Sequence, residues 1–460
     1  MTSTLRYFRF KGLLQHEQWL SPAYVGVDDQ GLVQYLSTVA PVEGTGIEAI
    51  DGLAVPGFQN AHSHAFQYAM AGWTESHPPG TDDDFWSWRE AMYRCALSVD
   101  PDQVEAIAAM LFAEMVRHGY THVAEFHYLH HDPTGKPYAH LAEMGERIIA
   151  AAKMAGIRLT LIPVFYQRST FGQPPNERQR RFISATLDDY LKLLDTSRQA
   201  VAKNPGTGLG FSVHSLRAVD FNDIIQTFRS GPANLPFHLH VAEQKKEIAD
   251  CVAFCGSRPM QWVLDNLPVN DRFNLVHATH LDDVEVKRLA QSGAQVVLCP
   301  STEGNLGDGI FRMKEYVSMG GRWTIGTDSH IGINPLEELR MIDYRQRLMT
   351  NRRNTFSGDA GHYMINECVS RGRVAMGLQG KENFSPGQPF DAVVYKASTH
   401  LLEEAHPNTW SAIIVYTSDS SRVLGTMIDG HWVVKDQHHV RGQSIKQEFR
   451  KAMKKLVGLP

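Results

Sequence analysis

Cysteine is scarce in this chain. Five in 460 residues (Cys95, Cys251, Cys255, Cys299, Cys368) form an odd, scattered set that does not suit a secreted disulfide framework, and they read as reduced, buried thiols. No apolar run approaches the roughly 18 residues that span a bilayer, and the first twenty residues, MTSTLRYFRFKGLLQHEQWL, are broken throughout by charge or amide. A soluble, cytoplasmic protein with no membrane partner is expected. Neither sign of charge dominates: 45 Lys+Arg against 50 Asp+Glu leaves −5, too little field to attract nucleic acid, so no nucleic-acid partner is expected. With 37 Gly and 22 Pro there is no low-complexity or collagenous composition, and 43% hydrophobic residues exclude disorder as the main state.

What is present is a repeat of strand-like and helical segments. A prior of about 150 residues per domain gives about three domains unless one is an α/β barrel. Between residues 53 and 329, eight apolar runs end near His62, His127, Phe165, Ser215, Glu243, His280, Ser301 and Ser329. Several are apolar almost throughout, as parallel strands buried on both faces should be. Amphipathic stretches separate them. In DQVEAIAAMLFAEMVRHG, Val104, Ile107, Ala108 and Leu111 share one helical face and Gly119 supplies a stop. The pattern predicts an α/β fold, a (β/α)8 TIM-type barrel over residues 56–385. A doubly wound sheet competes, but it would not set polar residues at the ends of so many successive strands. Residues 1–55 and 386–460 hold short β-rich pieces with turn signals at DDQG and DGH, which predicts one small β-sandwich built from both chain ends. The basic tail RKAMKKL reads as a solvated helix face.

Chemistry concentrates at the strand ends. His62 and His64 are two apart, so a strand directs both imidazoles to one side. His240 ends the fifth run with Glu243 three residues on, His277 ends the sixth and Asp328 the eighth. Strand C-terminal ends are where a barrel builds its site. Two His from one strand, a third His and an Asp make a set suited to one Zn2+, or to Fe2+ or Mn2+, with a position left for water. The alternative is a group of separate hydrogen-bonded histidines in a chain with 22 of them. Cys251 and Cys255, at i,i+4, read as core, Gly206-Thr207-Gly208 as a turn, and Trp86 and Trp88 as lid packing.

Pro56 to His64 (PGFQNAHSH), His240-Val241-Ala242-Glu243, His277 and Thr327-Asp328-Ser329 resemble the metal centre of the amidohydrolase superfamily, in its mononuclear deaminase branch. SPGQPFDAVVY and TMIDGHWVVKD are similar to the closing segments of that superfamily's small β-sandwich. HSHAFQYAMAG, HYLHHDPTG, FSVHSLRAV, HLHVAEQ and PSTEGNLGDGIF resemble the members that act on a formimino group in histidine degradation. The resemblance implies zinc-dependent hydrolysis of N-formimino-L-glutamate to N-formyl-L-glutamate and ammonia, with a nucleobase or nucleoside deaminase as the alternative. It implies His62, His64, His240 and Asp328 as metal ligands and Asp328 also as a proton acceptor. It implies Glu243 as proton shuttle or else an orienting group, and His277 as a polarising group or else a weak fifth ligand. A substrate with two carboxylates calls for arginine, here Arg217 and Arg89, and Gln67, Tyr128 and His214 match polar contacts of the family's pocket. A homodimer is also expected. A non-catalytic barrel that has lost its ligands is a further reading, against which the complete His/His/His/Asp set stands.

Overall fold

The computed structural model describes residues 5–16, 18–42, 46–76, 80, 83–378 and 383–457. Eight parallel strands lie side by side in chain order: β1 (Phe58–Ser63), β2 (Tyr120–His127), β3 (Arg158–Phe165), β4 (Phe211–Ser215), β5 (Phe237–Val241), β6 (Phe273–His277), β7 (Gln295–Leu298) and β8 (Arg322–Ile325). A bridge between Ser63 and Asp328 brings the end of the circle back to its start, so the sheet is a nearly closed (β/α)8 barrel. Closure needs a residue without a side chain at Gly326, where a Cβ would stand 2.7 Å from the Cβ of His62.

The helix Pro101–Arg117 shows how the sequence makes one repeat. Asp100 caps it by accepting from Gln103 N, and the Gln103 side chain returns to the Asp100 N–H. Val104, Ile107, Ala108 and Leu111 are all buried against the barrel, a face that contributes about 1.5–3 kcal/mol for each large side chain removed from water. Gly119 follows at φ +100°, and a Cβ there would meet Val393 of the terminal sheet at 2.7 Å.

The chain ends build a second, mostly antiparallel sheet. Arg6–Gln15 pairs with Ala23–Val27 and, in parallel, with Glu48–Pro56, which pairs in turn with Ala392–Lys396. Its own core holds Phe8, Phe10, Val25, Phe390, Val394 and Met427. The DDQG and DGH signals fall at turns with Gly31 at φ +77° and Asp429-Gly430 at φ +51° and +66°. One detail departs from the sequence reading. The apolar run that ends at His62 belongs to two sheets, because residues 53–56 pair in the terminal sheet and only Phe58 onward enters the barrel. Gly57 makes the passage, where a Cβ would lie 2.2 Å from Thr121. The basic tail is the solvated helix face expected of it: in the helix Gly442–Val457, Arg450, Lys451, Lys454 and Lys455 are exposed while Ile445, Ala452 and Leu456 are buried, with Gln103 Nε2 donating to Ala452 O at 3.1 Å.

Candidate metal centre

At the C-terminal ends of the strands, four side chains converge. His62 Nε2 lies 3.1 Å from His64 Nε2 and 3.0 Å from His240 Nε2, and Asp328 Oδ1 lies 3.1 Å from His64 Nε2 and 3.5 Å from His62 Nε2. All four are buried. The backbone sets them. Asn60, inside β1, donates to Thr327 Oγ1 at 2.7 Å and accepts from Thr327 N at 3.1 Å, while Asp328 N donates to His62 O at 3.0 Å. Asp328 sits at φ +48°, and Ala242, His277, Ala278 and His330 on the same rim also have left-handed φ. Such a cluster of costly backbone conformations marks a place the fold over-determines.

The donor set fits a divalent cation. His64 Nδ1 donates to Phe126 O (2.9 Å) and His240 Nδ1 to His214 O (3.0 Å), which leaves the Nε2 lone pairs of both rings aimed at the common point. Burial holds His62 mostly neutral, pushed down to about 3. Bare lone pairs and a carboxylate about 3 Å apart repel one another unless a cation lies among them. A second trio, His277, Cys299 and Asp328, overlaps this set, but burial pushes the Cys299 thiol well up, so it offers a poorer donor than an imidazole.

Around this point stand the other residues singled out from sequence. Gln67, Arg89, Tyr128, His214, Arg217, Glu243, His277 and Asp328 all line one cavity that encloses about 40 Å3 of free space. Glu243 is held from below, since Ala242 N and Glu243 N both donate to Glu247 (3.2 and 2.9 Å). Its Oε1 is 3.7 Å from His277 Nε2, and its Oε2 is 3.4 Å from Arg217 Nη2. Burial opposes a charge on His277, but Glu243, Glu303 and Asp328 outweigh it and raise the ring to about 10. Gln67 donates to Tyr128 Oη at 2.7 Å. Arg217 is buried, lies over Phe85 at 5.4 Å, and its Nη1 has no hydrogen-bond partner among the described residues. Arg89 stacks on Trp86 (4.6 Å) and Tyr93 (5.4 Å). Trp86 therefore does more than pack a lid: Arg217 and Lys246 also lie about its ring, at 6.0 and 5.8 Å.

Sequence reasoning missed Glu247 and Glu303. Glu247 carried a signal, one helical turn beyond Glu243 in HVAEQKKE. Glu303 carried one too, its place just after β7 in the PSTEGNLGDGIF segment. The cysteine reading needs a correction: Cys255 is exposed, 3.8 Å from the buried Cys251, because it ends the helix Lys245–Cys255, whose last turn from Val252 onward is exposed.

A nearly closed (β/α)8 barrel with three imidazoles and a carboxylate at its strand ends defines a barrel of the metal-dependent hydrolase type. The chain belongs to the amidohydrolase family, whose model matches residues 53–433. It is 40% identical over 446 residues to the formimidoylglutamate deiminase of Pseudomonas aeruginosa, covering 96% of this chain and 97% of that one. It is 25% identical over 397 residues to the 5-methylthioadenosine/S-adenosylhomocysteine deaminase of Haloarcula marismortui, covering 85% and 83%. A crystal structure of an amidohydrolase from Brucella melitensis superposes with a TM-score of 0.90 at 37% identity, covering 98% of this chain and 100% of that one.

Proposed function

We propose that this chain hydrolyses N-formimino-L-glutamate to N-formyl-L-glutamate and ammonia. The observation that carries the reading is Arg217, a buried guanidinium beside the His/His/His/Asp group with a nitrogen that has no hydrogen-bond partner among the described residues. A donor left so costs about 1–3 kcal/mol unless a ligand completes it, and a carboxylate is the ligand its fork suits. The likeness to a formimidoylglutamate deiminase over nearly the whole chain supports the same substrate.

His62, His64, His240 and Asp328 would hold one Zn2+. When bound, the ion supplies Lewis-acid charge that makes water a nucleophile at neutral pH. Asp328 turns Oδ1 to the imidazoles, while Oδ2 lies 3.9 Å from His277 Nε2 and is free to take a proton from the attacking water. The water oxygen bonds to the formimino carbon, and the C–N bond to the terminal nitrogen breaks. Glu243 carries the proton that this nitrogen needs to leave as ammonia, and His277 Nε2 hydrogen-bonds the oxygen that gains charge. Arg217 and Arg89 hold the carboxylates; Gln67, Tyr128 and His214 line the remaining wall. Within this reading the reaction is a step of histidine breakdown.

Ammonia release from zinc-loaded protein tests it across formiminoglutamate, guanine, cytosine and adenosine. Turnover of the first is expected. Turnover confined to the other three overturns the reading in favour of an aromatic amidine.

A further inference from the structure

His277 has a neighbour to which the proposed chemistry gives no part. The ring is buried at the end of β6, with φ +70° at His277 and +50° at Ala278. Its Nε2 points to the reacting side, 3.7 Å from Glu243 and 3.9 Å from Asp328, with no hydrogen-bond partner among the described residues. Its Nδ1 donates to Glu303 Oε1 at 3.4 Å. The carboxylate of Glu303 is 2% exposed and fixed at both oxygens. Oε1 accepts from Cys299 N at 2.9 Å, and Oε2 accepts from Arg345 Nη1 at 3.2 Å. Arg345, on the helix Pro335–Thr350, also donates to Pro300 O, so it anchors the turn that carries Glu303.

An imidazole with a carboxylate at one nitrogen keeps its proton there and cannot turn freely, so the other nitrogen becomes the one it presents. We propose that Glu303, tethered by Arg345, is a positioning residue that holds His277 by Nδ1 and aims Nε2 at the substrate. The proposal rests on the functional reading above for the identity of the substrate. The bland alternative is that Glu303 only ties Cys299 N–H and Arg345 together at the start of the helix Pro300–Asn305, a role in stability that would leave turnover untouched.

Three variants of the full zinc-loaded chain separate the two. Glu303→Gln keeps an oxygen for His277 and Cys299 while losing its charge toward Arg345; Glu303→Leu removes both; Arg345→Met loosens the tether. With formiminoglutamate as substrate, kcat should fall roughly 10-fold in the Gln variant and about 100-fold in the Leu variant, with Arg345→Met near the former. KM should stay within about threefold and metal content should be unchanged. Independently of turnover, the Nδ1–H proton of His277, assigned by its loss in His277→Gln, should be seen by NMR in wild type and in Glu303→Gln and vanish in Glu303→Leu. A kcat within threefold of wild type in Glu303→Leu, an Nδ1–H signal that persists in it, or loss of metal in step with kcat across all three variants would each overturn the proposal. If wild type releases no ammonia from formiminoglutamate, the functional reading fails, while the NMR comparison still decides the role of Glu303.

Discussion

The two ends of the barrel make an instructive pair. At the C-terminal end, the cavity beside His62 encloses only about 40 Å3; at the N-terminal end a larger one of about 300 Å3 opens between Gln59, His122, Arg158, Arg373 and Asp391. Size would choose the wrong one. At the base, Arg158 meets Asp391 at 2.6 Å and also Asp429, so its charge is spent joining the barrel to the terminal sheet. At the mouth, lone pairs face one another, the His277 Nε2 and Arg217 Nη1 atoms are buried with no hydrogen-bond partner among the described residues, and the backbone is left-handed at five residues. A stable protein keeps buried polar groups paired, so convergent unpaired ones mark where a ligand completes the structure.

The contrast can be broken most severely at the metal group. His62→Ala or Asp328→Ala should lose bound zinc and roughly 10³-fold or more in activity; near-stoichiometric zinc with normal turnover would dismiss either residue as a ligand. Glu243→Gln keeps the shape of the side chain but cannot carry a proton, so zinc should remain while kcat drops by about 10²-fold. Zinc loss in that variant would instead make Glu243 an orienting group. Arg217→Met should lower kcat/KM for formiminoglutamate by about 3–5 kcal/mol of transition-state binding, and much of that loss should vanish when the matching carboxylate of the substrate is an amide. Equal losses for both substrates, with a lowered Tm, would reduce Arg217 to a brace between loops.

The base answers differently. Arg158→Met leaves Asp391 and Asp429 facing each other and should cost about 2 kcal/mol, a few degrees of Tm, with kcat/KM within about twofold of wild type. A large kinetic effect would erase the distinction between the two ends. The smallest effect sharpens the pH behaviour. Burial pushes Glu338, which accepts from Ser301 N and lies near Oγ of the same serine, up to about 8 from its ordinary 4.5, with Glu303 and Glu337 adding to the rise. The folded chain then keeps a proton that the unfolded chain gives up, so between pH 4.5 and 8 stability falls as pH rises, by at most about 1.4 kcal/mol per unit. Glu338→Gln removes that proton from the balance. Its Tm should be flatter than that of wild type over this range, and parallel curves would refute the assignment.

The amino-acid sequence by itself determined the repeat, the strand ends and the donor types. Period-two spacing at His62 and His64, apolar runs of strand length and the helical face of Val104, Ile107, Ala108 and Leu111 closed by Gly119 are local, and local patterns can be read from chain order. It also carried the family, through motifs spread over most of the chain. Only the tertiary structure decided which of many polar residues face a common point. Asp328 reaches His62 because Gly326 lets β8 press on β1, and Arg217 is buried, with Nη2 on Glu243 and Nη1 left over, only because Phe85 and Glu243 close over it. Glu303 touches His277 across 26 residues. The physical reason is that a hydrogen-bond partner distant in sequence is chosen by packing, which no periodicity records, whereas a helix face or a strand's alternation is chosen by the backbone the residue itself belongs to.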